Sequence, residues 1–255
     1  MTTLATAPVR AGGFRPAFLG LELRRTLRDK RTMIFALVMP PLFFILFGTN
    51  STFQHGQAGS GNTTGYVMVS MAVYGALLAT STGAARVAVE RAAGWSRQLR
   101  LTPLSPSAYI ATKIAVAMLL GLFSVTTVFV AGAIFGAQLP ASAWASCFLI
   151  AWLGSFVFAA FGLFMGYLLP SENVMQLLGV SMALLAFAGG LFMPLHGWIE
   201  TVSKVVPTNG IATLARAPFA EPSAAGIVLA IVNVVAWAAI FTVGSALLFR
   251  RDTAR

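Results

Sequence analysis

The chain has 255 residues, 58% of them hydrophobic and 9% charged, with mean hydropathy +0.83. A soluble domain carries about 25% charged residues, so the polar residues here are too few to cover a water-facing surface. The net charge of +10 and pI of about 11.1 would suit a nucleic-acid binder, but the basic residues flank long apolar runs and no basic-aromatic patch lies elsewhere, so no nucleic-acid partner is expected.

In chain order, Met1 to about Arg15 is rich in Thr, Ala, Gly and Pro and reads as a flexible tail (residues 1–15). No early apolar stretch marks it as a cleavable leader, and seven Arg or Lys fall in the first 31 residues. Pro16 suits the first turn of a helix. From there to residue 31, Leu19, Leu23 and Leu27 recur four apart with Phe18 beside them, while Arg24, Arg25 and Arg28 fall largely on the other face. That pattern predicts an amphipathic helix lying in the membrane surface, its basic side toward anionic headgroups. A solvated basic segment next to the membrane is the alternative.

Six apolar runs follow, at about 32–48, 66–85, 114–136, 144–169, 174–193 and 224–249. Each approaches or exceeds the roughly 20 residues needed to cross a bilayer. Pro40 and Pro41 lie inside the first run, where loss of a helix hydrogen bond predicts a kink. Gly132-xxx-Gly136 and Gly162-xxx-Gly166 are small-residue patterns that let helices approach closely. Cys147 sits in the fourth run and reads as a small core residue.

Basic residues set the orientation. Seven lie in the N-terminal segment, five between runs two and three (Arg86, Arg91, Arg97, Arg100, Lys113) and three at the C-terminus (Arg250, Arg251, Arg255), against Lys204 and Arg216 between runs five and six. Six spans with both termini inside, the last six residues (250–255) forming a cytoplasmic tail, satisfy this alternation. Five or seven would put a basic terminus outside.

Chemistry is sparse. None of Lys30, Lys113 and Lys204 follows a glycine, so no GxxxxGK[ST] phosphate loop exists, and no cofactor or metal is expected in this chain. No acidic pair or basic residue lies deep in a run, which argues against a proton relay. Ser181 could suggest an intramembrane nucleophile, but His55 and His196 fall in polar segments and supply no base, so it reads as a packing serine.

Two polar segments carry more. Glu90 to Pro106 is inside by the charge rule, carries Trp95 between arginines, and ends in a Pro-rich turn. It reads either as a docking knob for a soluble partner or as a basic loop that only sets topology. Leu195 to Ser223 is amphipathic, carries Trp198 and is broken by Pro207, Pro218 and Pro222. By itself it reads as a plain outer loop.

The first of these stretches resembles the cytoplasmic loop of ABC-2 type transporter permeases, which reads E-R-x-x-G-(three)-x-L-x-x-T-P-L-S. Glu90, Arg91, Gly94, Leu99, Thr102, Pro103, Leu104 and Ser105 fit it. Met39 to Gly48, with its Pro40-Pro41 pair, is similar to the family's first span. Gly189 to Leu195, including Pro194, followed by Trp198 and Val206-Pro207-Thr208, is similar to its fifth span and outer loop. Trp95 departs from the Thr or similar residue of many members. The resemblance is closest to the drug- and antibiotic-exporter branch, the daunorubicin-resistance-like membrane subunits, and covers nearly the whole chain.

It implies an all-α polytopic fold of six transmembrane helices with an N-terminal interfacial helix, a cytoplasmic coupling helix and an outer re-entrant hairpin. It implies two cytoplasmic ATPase subunits that bring ATP and Mg, a second permease chain, identical or not, and multidrug or antibiotic export from the inner (plasma) membrane. Glu90, Arg91 and Arg97 would then make polar contacts with the ATPase, beside Gly94, while Trp95 and Leu99 fill a groove. The spans offer Phe, Met and Leu with little fixed charge, which suits an amphipathic or hydrophobic cargo. Lipid-linked glycan export is the alternative on the same fold, and a membrane-embedded enzyme is the rival of another class.

Overall fold

A computed structural model describes residues 16–49, 55–94 and 105–253. Among these, the chain forms α1 (Pro16–Leu27), α2 (Lys30–Leu37), α3 (Met39–Gly48), a hairpin of β1 (Gln57–Ala58) and β2 (Gly61–Asn62), α4 (Thr63–Ala85), α5 (Val87–Ala92), α6 (Pro106–Ile134), α7 (Ala141–Gly154), α8 (Phe156–Leu168), α9 (Val174–Ala188), α10 (Trp198–Ser203), α11 (Pro207–Ala220) and α12 (Ala224–Thr253). The chain is an all-α membrane protein. Four helical stretches, Thr63–Ala92, Ser107–Ile134, Ala141–Leu168 and Ala224–Arg251, are long and apolar enough to cross a bilayer.

The other two apolar runs form shorter helices, Met33–Gly48 and Val174–Ala188. In the first, the chain turns at Val38, and Pro40 and Pro41 occupy the opening turn of α3, where a missing N–H is least disruptive. The Val38 amide donates to the Ile34 carbonyl at 2.9 Å and the Leu42 amide to the Val38 carbonyl at 3.0 Å, so hydrogen-bonded turns continue from α2 into α3. In the fifth run, Gly189-Gly190 stops α9. Gly190 takes φ +69°, a left-handed conformation that ends helices and suits glycine.

Helix α4 is the hub. Met68, Val69, Ala72, Val73, Ala76 and Leu77 are wholly buried on it, and α3, α6, α8, α9 and α11 pack around it. Small residues make this possible. A Cβ at Gly162 would overlap the Ser81 carbonyl oxygen, and one at Gly166 would come within 2.7 Å of Val87 and 3.1 Å of the Ala85 carbonyl. Gly162-xxx-Gly166 thus packs α8 onto α4 within one chain. Helix α12 is the opposite case: only 11% of its apolar stretch is buried, and Val228, Val232, Val235 and Val243 stand exposed, the pattern of a face solvated by hydrocarbon.

Buried Asn62 fastens the β-hairpin. Its side chain caps α4 by accepting from the Gly65 amide at 2.8 Å, accepts from the Gln138 amide at 2.9 Å, and donates to the Gly136 carbonyl at 2.8 Å. One side chain thereby joins the start of α4 to the end of α6, where Gly136 takes φ +87°.

Candidate functional site

The polar chemistry gathers at the end of the bundle formed by α1, α5 and the start of α6. Lys113, on α6, has a side chain only 3% exposed. Its Nζ donates to Glu22 of α1 and to Glu90 of α5, the latter at 2.5 Å. Tyr109, one turn before Lys113, donates its hydroxyl to the other Glu90 oxygen at 2.5 Å. Arg25 reaches Glu90 at 3.3 Å and Glu22 at 3.7 Å. The two carboxylate side chains are 7% and 6% exposed. Arg86 pairs with Asp29 between α4 and the α1–α2 turn. Buried carboxylates survive only when paired and hydrogen-bonded, and here one lysine serves two.

Glu90 therefore turns inward, into the bundle. Arg91 does likewise: its guanidinium donates to the carbonyls of Tyr167 and Leu169 at 3.1 and 3.3 Å, at the end of α8, and lies 5.9 Å from the Tyr167 ring centroid. Gly94 follows with φ +74°, a left-handed conformation that suits glycine, just after α5 ends. Trp95, Arg97 and Leu99 lie outside the described residues. Glu90 and Arg91 thus bind the root of this segment to α1, α6 and α8.

On α1, Glu22 and Thr26 are the buried residues, Leu19 and Leu23 are half-buried, and Leu27 is exposed along with Arg24 and Arg28. The face turned to the bundle thus centres on a polar residue, because Glu22 meets Lys113 there.

Above this charged floor lies a cavity of about 580 Å³. Glu22, Asp29 and Glu90 line one end. Phe35, Tyr74, Leu78, Met175, Leu178 and Met182 line the remainder, with Gly179 leaving room because nothing lies within 4 Å of where its Cβ would be. Tyr74 joins the cavity lining to a cluster of aromatic rings. Tyr74 stands 5.0 Å from Phe192 and 6.0 Å from Phe43, and Phe192 stands 4.7 Å from Phe187.

Pro207 begins α11, buried Asn233 of α12 donates to the Lys204 and Val206 carbonyls at 2.8 and 3.3 Å, and Trp237 donates to the Val205 carbonyl at 2.7 Å. Pro194 and Trp198 are exposed, Trp198 at 76%. Arg216, which topology counting places in a loop, is buried: it donates to Ser70 and Tyr66 of α4 and to the Gly190 carbonyl. His55 and His196 are exposed, and Ser181 spends its proton on the Leu177 carbonyl of its own helix.

Sequence reasoning missed Glu22, Tyr109 and Lys113 as a unit, and Arg216. Lys113 is 91 residues from Glu22 and 23 from Glu90. One signal was available: Lys113 falls one turn after Tyr109 on the face of α6 that carries Val116 and Ala117, an odd place for a solvated lysine.

Such a structure defines a helical membrane protein with a partly open, mostly apolar cavity that is charged at one end. The profile of the ABC-2 type transporter family matches residues 17–219, and the chain belongs to that family. It is 30% identical over 179 residues to "Putative transport permease YvfS" of Bacillus subtilis (strain 168), an alignment covering 68% of this chain and 71% of that protein. A role as a transport permease follows from the family.

Proposed function

We propose that the chain is the membrane subunit of an ATP-binding cassette exporter that moves an amphipathic or hydrophobic drug, antibiotic or lipid-like molecule out of the cell. It sits in the inner (plasma) membrane with six spans and both termini cytoplasmic, α1 lying in the inner interface and α10–α11 forming the outer re-entrant hairpin. Two copies of a separate ATPase, holding ATP and Mg, energise it, and a second permease chain, the same or a different one, completes the passage.

The observation that carries this reading is the anchorage of the segment that begins at Glu90. Its first residues are ion-paired or hydrogen-bonded to α1, α6 and α8, so displacement of its far part reaches the walls of the cavity directly. A partner can drive the chain only by contacting its two states unequally. Trp95, Arg97 and Leu99 are the proposed contact residues. Glu90, Arg91 and Gly94 fasten and aim them.

The cavity lining favours a drug or lipid over a lipid-linked glycan, because most of its surface is apolar, with Met175, Met182, Leu78, Leu178 and Phe35 contributing to it. A membrane-embedded enzyme has less support, because the family is one of transport permeases. The test is reconstitution in proteoliposomes with the cognate ATPase and a fluorescent amphipathic dye. Dye movement should require ATP and the ATPase. Movement at the same rate without the ATPase would overturn the proposal.

A further inference from the structure

Arg216 has no part in the reading so far. It is 8% exposed, and no carboxylate of a described residue pairs with it. A buried cation without a counter-ion is unfavourable in a membrane protein, so packing alone does not account for it. What a guanidinium does here, and an aliphatic side chain cannot, is reach three places at once with a fixed fork of donors.

Nε and one terminal nitrogen donate to Ser70 Oγ at 3.1 and 2.5 Å. The other terminal nitrogen donates to Tyr66 Oη at 2.9 Å, and the guanidinium carbon lies 4.2 Å from the Tyr66 ring centroid. The nitrogen on Ser70 also donates to the Gly190 carbonyl at 3.2 Å. Ser70 in turn donates to the Tyr66 carbonyl at 2.7 Å, so its hydroxyl is fully used.

These partners follow one row of i, i+4 neighbours along α4. Tyr66, Ser70, Tyr74, Leu78 and Thr82 recur every four residues. The last three line the cavity, and the first two hold Arg216. Tyr74, at the boundary, carries the aromatic contact to Phe192 at 5.0 Å. Phe192 lies two residues after Gly190, whose carbonyl Arg216 holds and whose φ of +69° shapes that turn.

We propose that Arg216 is the positioning residue of an outer gate: by binding the turn after α9 to α4, it holds Phe192 across Tyr74 and closes the far end of the cavity. For cargo to leave, Arg216 must release Gly190 or α4. The inference rests on reading the cavity as the cargo's route.

Side-specific thiol labelling in intact cells and inverted vesicles tests it. Native Cys147 is 0% exposed and provides the blank. Gly179→Cys places a thiol in the cavity at a position with open space. With Arg216 in place, an impermeant maleimide should label that thiol from the cytoplasmic side only. Adding Arg216→Met should raise labelling from outside at least tenfold, leaving Cys147 unreactive and the cytoplasmic rate within twofold. Phe192→Ala should leak in the same way with Arg216 intact. If Phe192→Ala leaks and Arg216→Met does not, the arginine is not the gate's fastening. If neither leaks, there is no gate at these rings. If Arg216→Met exposes Cys147, the fold has been lost, and Ser70→Ala, which removes two of the bonds and leaves the charge, decides by the same criterion. A wild-type background in which Gly179→Cys is unreactive from the cytoplasm overturns the cavity reading itself, and the gate with it.

Discussion

Replacing Lys113 by methionine keeps the reach of the side chain and removes the cation to which both Glu22 and Glu90 bond. Two carboxylates, 7% and 6% exposed, would then share the half-exposed Arg25 and the Tyr109 hydroxyl. Removing one partner of a buried pair costs about 3–5 kcal/mol, because a charge is left uncompensated. At roughly 2–4 °C per kcal/mol for a chain of this size, the midpoint of unfolding should fall by about 6–20 °C. Cys147, the one cysteine and wholly buried, makes the assay direct. A dye that fluoresces on thiol reaction, added to purified protein and heated, reports unfolding of α7 from the core. Removing the stranded charges should reverse the effect: Lys113→Met with Glu22→Gln and Glu90→Gln should recover more than half of the loss. A fall of under about 2 °C in the single variant, or no recovery in the triple one, would mean that the three groups do not form a buried ionic unit.

Gly162→Ala should lower the same midpoint by about 2–12 °C, the effect of roughly 1–3 kcal/mol of overpacking, because the new methyl meets the Ser81 backbone, while Gly179→Ala should change it by less than about 2 °C. Asn62→Ala removes a buried cap and two further hydrogen bonds, for a loss of about 2–4 kcal/mol read as a lower denaturation midpoint. Trp95→Ala with Leu99→Ala should abolish ATP-driven dye transport in proteoliposomes without changing the thermal midpoint. Glu90→Gln, by contrast, should lower transport and midpoint together, and an unchanged midpoint would show that Glu90 is not buried as described.

The membrane class and the helical character were legible because hydrocarbon solvent imposes a compositional rule on each run by itself. The Gly162–Gly166 approach was legible for a similar reason, since small residues four apart form a flat face whatever meets it. What meets it was not legible. Periodicity tells which side of a helix is apolar and leaves open the partner helix, so the pairing of Lys113 with residues 91 and 23 positions away could not be read.

The same limit hid Arg216. Counted as one of two basic residues in a polar segment, it fitted the charge rule, and only the return of α11 against α4 shows its side chain enclosed by Tyr66 and Ser70. The one-residue break between α7 and α8 was invisible for another reason. Ser155 is neither Gly nor Pro, and its turn is set by its own hydroxyl on the Trp152 carbonyl at 2.6 Å together with Thr80 of α4 reaching the Ser155 carbonyl at 3.4 Å. Glu90 matched a loop motif by residue type, but burial decides whether a carboxylate touches a partner or anchors its own chain, and burial is a property of the packed bundle.

The most direct test places a photo-crosslinking side chain at Trp95 in cells that also carry the cognate ATPase. Illumination should join the chain to the ATPase, with a yield that changes when ATP hydrolysis is blocked, and a maleimide should reach Trp95→Cys from the cytoplasmic side. Crosslinks to no nucleotide-hydrolysing subunit, or labelling from outside the cell, would contradict the division of work between this membrane subunit and a separate motor.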